Sequence, residues 1–297
     1  MIKKINDFLD YFKYLGNPIQ CLLFKFGIKK EVMLKFKNTD KTVKITKEKL
    51  LNRLMEMMPF LDTISNEYIE FISELDSNKE IISWAGVNII NFMEIDVDYS
   101  NYPFFEYYFD DYYESFDINY ENRCVIDIGS FVGDTALIFA KNGAKVYGYE
   151  PVKKNYNYSL KFKEVNPNIK NKLHFFNMGV SDKIGKINIE SMDSTNTFKK
   201  ENDSYEVDVT TIEKILEENN IEPDILKIDC EGCEFNIILN SDLSNFNHII
   251  MEHHAKFVGK PHTLLINKLK DQGFEIKELS IENQKFDEFG LIFAYKP

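Results

Sequence analysis

The sequence predicts an α/β fold: a Rossmann-like, mostly parallel sheet whose last strand runs antiparallel, preceded by a mixed α+β extension. Three observations carry this prediction. From Cys124 onward, short apolar runs alternate with segments of helical spacing, the pattern that crossover connections and a parallel sheet produce. The runs are continuously apolar rather than alternating, as in CVIDIG at 124–129, which suits strands covered on both faces. The last two runs, FEIKELS and FGLIFAYK, are joined by a connection too short for a crossover, so the final strand must turn back.

Residues 1–114 read as the extension and 115–297 as the main domain. In the extension, 5–15 and 18–27 have helical spacing, and EVMLKFKNTDKTVKI gives a strand, an Asn-Thr-Asp turn and a second strand. Helical spacing returns at 47–58 and 66–75, with Thr46 and then Ser65 or Asn66 as N-caps. Residues 94–121 interleave Tyr and Phe with Asp and Glu, a composition that packs between structural units or covers a pocket. In the main domain CVIDIG is a strand, and TALIFAKNG is a helix closed by Gly143. KVYGYE (strand), 153–165 (helix), LHFFNMGV (strand) and a hairpin-like KIGKINIE follow. Helix 211–219, strand DILKID, helix 233–240, strand HIIMEH, helix 261–272 and strands 274–279 and 289–295 complete the chain.

The composition narrows the partners. With 36 basic and 48 acidic residues the chain has a formal charge of −12, so nucleic acid would meet net repulsion. The longest apolar run, IQCLLFKFGI, is about half the ~20 residues a bilayer span needs, and the N-terminus lacks the apolar core of a signal peptide. The expectation is a soluble, cytoplasmic protein with no transmembrane segment. Four cysteines do not make a disulfide framework in a chain of 297 residues.

Open α/β sheets bind ligands beyond the carboxyl ends of their strands, so the turns there hold the chemistry. The first, DIGSFVGD at 127–134, is not a P-loop, because no Lys follows its second Gly. Nor is it Gly-x-Gly-x-x-Gly, because Phe131 and Asp134 stand where the later glycines belong. What remains is Asp127 at the strand end, Gly129 where backbone can approach a ligand, and Gly133 where strand and helix pack closely. An acidic strand end suits a ligand with positive charge, such as the ammonium and sulfonium of S-adenosylmethionine. Glu150 ends the second strand, where Rossmann-like sheets place a carboxylate for the ribose hydroxyls.

VIDIGSFVGDTALIFAKNGAKVYGYEP resembles the opening of the FkbM-type S-adenosylmethionine-dependent methyltransferases. NMGVSDKIGKINI, VDVTTIEKIL and LKIDCEGCEFNIIL are similar to later motifs of that family in order and spacing, so the resemblance spans roughly 115–297. It implies a class I methyltransferase fold and cofactor contacts at Asp127, Gly129, Ser130, Gly133, Glu150 and, from the turn at 177–182, Asn177. It also implies S-adenosyl-L-methionine as cofactor and O-methylation of a small-molecule or carbohydrate hydroxyl. Two other readings stay open: a catalytically idle binding domain, and an RNA methyltransferase, which the charge disfavours.

The same resemblance places Cys230 and Cys233 at the two variable positions of Lys-Ile-Asp-x-Glu-Gly-x-Glu, where they are expected to be dispensable. A zinc site shared with Cys124 fails on distance. Cys124 begins its strand and Cys230 follows the end of another, so about five residues at ~3.3 Å each separate them by ~15 Å, against ~2.3 Å for a Zn–S bond. A site joining the pair to His253 and His254, and a redox couple at a helix start, remain alternatives. No metal is assigned, although magnesium assistance is open.

Methyl transfer to oxygen is an in-line displacement that needs a positioned hydroxyl and a base. Asp229 is the first candidate by position, Glu231 neighbours it, and His254 is the better base by its ordinary pKa. Glu252 and His253, which end the same strand as His254, are further candidates for the base. Glu231 and Glu234 have an alternative role beside a helix N-terminus, and Lys227 one as an ion-pair partner.

Overall fold

The computed structural model describes residues 9–37, 39–57, 65–91, 93, 116, 118–190, 204–279 and 285–297. These fall into two compact units, whose described residues lie at 9–93 and 116–297. The expected boundary at 114/115 and most of the aromatic, acidic stretch 94–121 lie outside the described residues.

In the first unit, helix α1 (Pro18–Lys25) begins with Pro at its first position, where no backbone donor is lost. Strands β1 (Val32–Lys35) and β2 (Thr42–Ile45) pair antiparallel and bury alternate residues, as the sequence predicts. Helices α2 (Glu48–Met57) and α3 (Asn66–Asp76) follow. Ser65 caps α3, its hydroxyl accepting from Tyr68 N at 3.0 Å. Thr46 does not cap α2: its hydroxyl and amide both donate to Asp76, the last residue of α3, a charged acceptor. A hairpin of β3 (Ile81–Trp84) and β4 (Val87–Ile90) was not anticipated. Ala85 and Gly86 turn it with φ of 47° and 76°, the twist that tight hairpins favour, and Trp84 is buried beneath.

In the second unit, β5 (Cys124–Ile128), β6 (Lys145–Tyr149), β7 (Leu173–Phe176), β11 (Ile225–Ile228), β12 (His248–His253), β13 (Glu275–Leu279) and β14 (Gly290–Tyr295) form a seven-stranded sheet in the order β13-β14-β12-β11-β5-β6-β7. Only β14 runs against the rest, pairing antiparallel with both β12 and β13. Between the strands lie α4 (Asp134–Lys141), α5 (Lys153–Glu164), α6 (Ile212–Asn219), α7 (Glu234–Asn240), α8 (Ala255–Val258) and α9 (Thr263–Asp271). Helix α6 is capped by Thr211, which accepts from Lys214 N. Gly143, past the end of α4, has φ of 107°, open to glycine and costly for other residues.

Two strand expectations are corrected. LHFFNMGV is not one strand: β7 ends at Phe176, and β8 (Gly179–Val180) joins a separate small sheet. KIGKINIE is not itself a hairpin; it supplies one strand, β9 (Gly185–Glu190), whose antiparallel partner is β10 (Ser204–Thr210). The periodicity of a short apolar run does not reveal which neighbour it will pair with.

The core is the layer of β-strand and helix side chains around Leu226, Ile228, Phe235, Ile237, Ile249 and Met251. Helix α7 buries Phe235, Ile237 and Ile238 completely, at ~1.5–3 kcal/mol each as an upper estimate. That burial fixes the loop between β11 and α7. At the opposite edge of the sheet Arg123 grips Asp224, its Nε donating at 2.6 Å, and Asp224 also accepts from Cys124 N and Asn247 Nδ2.

Candidate active site at the carboxyl edge of the sheet

The parallel register sets the site. Asp127 pairs with Lys227 and Ile128 with Ile228, while Ile228 pairs in turn with Met251 and Ile128 with Tyr149. The ends of β5, β6, β11 and β12 are therefore level, and the turns after them meet at one edge. Directly opposed residues on paired strands lie on the same face, so Asp127 and Lys227 meet. Lys227 Nζ is 3.1 Å from Asp127 Oδ1, donates to Gly129 O at 3.2 Å, and lies 3.9 Å from Asp229 Oδ2. The contact with Asp127 Oδ1 is off the hydrogen-bond direction, so that buried oxygen is ion-paired but accepts no directed bond. Its other oxygen accepts from Thr135 Oγ1 at 3.1 Å.

The glycine turn packs against the β11 tip. Gly129 has φ of 75°, and a Cβ there would collide with the Asp229 carbonyl, so only glycine fits both the angle and the space. Phe131, at φ of 49°, holds a left-handed conformation at a cost of ~1–3 kcal/mol. Its amide donates to Glu150 Oε2 at 3.0 Å. Gly133, at φ of 85°, would place a Cβ 2.7 Å from Phe175 Cζ. Ser130 is buried with its hydroxyl unpartnered, against Gly148 of β6 rather than at the tip of the loop.

Glu150 is buried. Its Oε1 accepts from Val152 N at 2.8 Å and Asn155 Nδ2 at 3.3 Å, while Oε2, among the described residues, takes Phe131 N alone. Burial pushes its pKa up to about 7, although these donors and Lys227 oppose the shift. Asn177 donates both amide hydrogens to the Glu150 and Pro151 carbonyls, so it braces the β6 tip and has only its Oδ1 to offer a ligand. Asp134, which the sequence reading passed over, is buried at the start of α4 near Lys227 and Asp127. Desolvation lifts its pKa to about 7. Its signal was present: an acidic residue straight after the second glycine of the turn.

The second half of the site is an imidazole ringed by carboxylates. His254 is buried after β12, with Nδ1 3.1 Å from Glu234 Oε1 and Nε2 3.3 Å from Glu231 Oε2 and 3.8 Å from Glu252 Oε1. Burial alone would lower its pKa, but the Glu234 hydrogen bond and the charges of Asp229, Glu234 and Glu231 outweigh it and raise the pKa to about 10. This corrects the reading of His254 as a base with an ordinary pKa. At neutral pH it is an imidazolium, with no lone pair to accept a proton. Glu234 is the hub: it also accepts from His254 N at 2.6 Å and Gly232 N at 2.8 Å. Its role is thus more than favouring a helix start.

Glu231 sits at φ of 55°, strained for a residue with a side chain, and burial raises its pKa. Glu252 is pushed up to about 8 by burial and by Asp229. Asp229 keeps 35% of its side chain exposed, the most open carboxylate touching Lys227.

Of the cysteine alternatives, the structure shows the pair bonded to itself rather than to a metal. Cys230 and Cys233 are joined to each other as a disulfide, closing the loop that carries Glu231. Bonded sulfurs are not zinc ligands. His253 does not face them either: it is buried, stacked on His262 at 5.1 Å and edge-on to Phe286. Asp229, Glu231 and His254 each offer one ligand atom within 4.8 Å of the others. A divalent cation bound there would have to displace the His254 proton that the same carboxylates hold.

These ionisations predict a pH profile. The folded pKa of His254 is raised from 6.5 to about 10, so its contribution to stability is fully present below 6.5 and lost as pH rises through about 10. Glu252, raised from 4.5 to about 8, acts in the same direction, its contribution present below 4.5 and lost through about 8. Melting temperature is therefore expected to fall between about pH 7 and 10, and His254→Gln to flatten the upper part of that fall. A wild-type melting temperature that holds or rises over this range would contradict the ionisation state.

Residues 127–276, half of the chain, match the profile of the methyltransferase FkbM domain. The chain belongs to the FkbM methyltransferase family. Methyl transfer is accordingly its chemistry, and S-adenosylmethionine the donor. The FkbM chain is also similar to solved structures at low identity. One is the FkbM methyltransferase of Methylobacillus flagellatus KT, at 12% identity over 82% of this chain and 59% of that one, with a TM-score of 0.46. Another is the magnesium protoporphyrin IX methyltransferase of Synechocystis PCC 6803 with bound SAM, at 16% identity over 62% and 74% of the chains and a TM-score of 0.39. A comparison with curated proteins returned no match. Among the described residues, no helix is long and apolar enough to cross a membrane.

Proposed function

We propose that this FkbM methyltransferase methylates a hydroxyl of a sugar, a glycan or glycolipid precursor, or another small hydroxylated metabolite. One observation carries the reading: Asp229, ionisable and half-open, stands at the strand tip between a buried lysine and an imidazolium that cannot compete with it as a base.

The residues at the β5 and β6 tips fit the cofactor. Asp127 has a buried oxygen without a directed donor, Gly129 presents bare backbone, and Glu150 Oε2 has acceptor capacity to spare for a ribose hydroxyl. The bound donor supplies an electrophilic methyl group on a sulfonium. The protein's own part is then positioning and proton transfer. Asp229 accepts the proton of the acceptor hydroxyl as its oxygen attacks. Lys227 pairs with Asp127 and lies within ion-pair reach of Asp229, which holds both carboxylates in place, and Glu234 fixes the His254 ring.

Purified protein with labelled methyl donor and a panel of sugars, glycolipid precursors and polyketide-like alcohols tests the proposal. Label incorporation at a hydroxyl is expected, together with thermal stabilisation by S-adenosylhomocysteine. Stabilisation without incorporation into any acceptor would favour an idle binding domain. Glu150→Ala is expected to weaken S-adenosylhomocysteine binding roughly tenfold or more by calorimetry, about 1.4 kcal/mol, in a protein that remains folded. Unchanged affinity would remove Glu150 from the ribose site.

A further inference from the structure

The first unit carries a feature that the methyltransferase chemistry does not use. Helix α1 is apolar on both sides. Its inner face buries Cys21, Leu22 and Phe24, yet the outer face presents Ile19 and Phe26, exposed to 65% and 67%, with Leu23 between them. Gln20 is exposed beside Ile19, so the outer face is an apolar stripe on a mixed surface, and an exposed apolar patch of this kind marks an interaction site. After α1 the chain folds back, Ile28 and Lys29 both donating to Leu23 O, which sets Ile28, exposed to 70%, beside the same face. Asn17 ties the start of the helix to β1 by donating to Met33 O and accepting from Lys35 N, so exposed Met33 adjoins it.

Charge says what the cover is. Residues 1–37 hold eight lysines against three acidic residues, in a chain whose formal charge is −12. Lys29 and Lys30 are exposed next to Ile28, and Lys13 and Lys35 are exposed nearby in the same unit. A second copy docking through this face would bring lysines against lysines. An anionic bilayer instead offers acyl chains for Ile19, Phe26 and Ile28 and negative headgroups for the lysines, whose long stems reach outward from an apolar surface.

We infer that the α1 face of the N-terminal unit is a docking surface for an anionic lipid membrane. The test uses the full chain with vesicles of phosphatidylcholine alone or mixed with phosphatidylglycerol. Co-sedimentation with the mixed vesicles only is expected, weakening as salt is raised. The triple variant I19S/F26S/I28S and, separately, K29E/K30E are each expected to bind roughly tenfold more weakly. Both should keep the wild-type melting shift with S-adenosylhomocysteine, since these positions lie outside the catalytic unit. Should the triple variant fail to fold, the lysine pair alone decides the matter. No sedimentation, equal binding to both vesicles, or undiminished binding by the lysine variant overturns the inference. A wild-type dimer by light scattering that the triple variant dissociates, with no vesicle binding, assigns the face to a second copy.

Discussion

Asp229→Asn is expected to lower kcat by roughly 10²–10⁴-fold while the protein stays folded and binds S-adenosylhomocysteine with near wild-type affinity. The substitution keeps the shape at the β11 tip while removing the carboxylate's charge and its basic oxygen. His254, Glu252 and Lys227, all in reach, cannot replace it. His254 holds its proton up to about pH 10, and Glu252, lifted to about 8 by burial and by Asp229, is mostly protonated at neutral pH. Lys227, 3.9 Å away, is a cation paired with Asp127. Wild-type turnover in the variant would eliminate Asp229 as the base. A drop that appears in KM with kcat unchanged would make it an acceptor-binding group instead.

Glu234→Ala is expected to destabilise the protein by about 3–5 kcal/mol, measured by denaturant unfolding. The carboxylate is fully buried and accepts from His254 N and Gly232 N while pairing with His254 Nδ1. Alanine would leave two backbone donors and the His254 Nδ1–H without their acceptor, at ~1–3 kcal/mol for each unpaired group. The pKa of His254 would fall with its partner gone, so the variant should also lose much of the alkaline slope in melting temperature. Glu234→Gln keeps an acceptor for the backbone amides and is expected to cost less. A Glu234→Ala protein as stable as wild type would mean the hub is not needed to hold the loop.

The sequence was informative where structure is local or repetitive. The alternation of runs from Cys124 marked the sheet strands, and the short link between FEIKELS and FGLIFAYK implied the reversed β14 that pairs with β12. Ser65 was legible as a cap because capping depends on residues within one turn. Thr46 was not, because its partner Asp76 is thirty residues away. β8 was missed for the same reason: a two-residue strand has no periodicity, and its pairing is set by where the small sheet can close, whereas β10 was missed although Val207 and Val209 alternate with Glu206 and Asp208. The Ala85-Gly86 hairpin was missed although alternating residues flanked a glycine, a signal that was available.

By itself the sequence determined the order of strands and helices in the main sheet, the glycine turn after Asp127 and the carboxylates that end the later strands, since each is written in residue type and near spacing. Only the tertiary structure decided what those groups are. It set Lys227 against Asp127 through strand register, bonded Cys230 to Cys233, and surrounded His254 with enough negative charge to turn an expected base into a fixed cation. The physical reason is that charge state depends on burial and on neighbours brought from distant parts of the chain, and neither is carried by the residue that ionises.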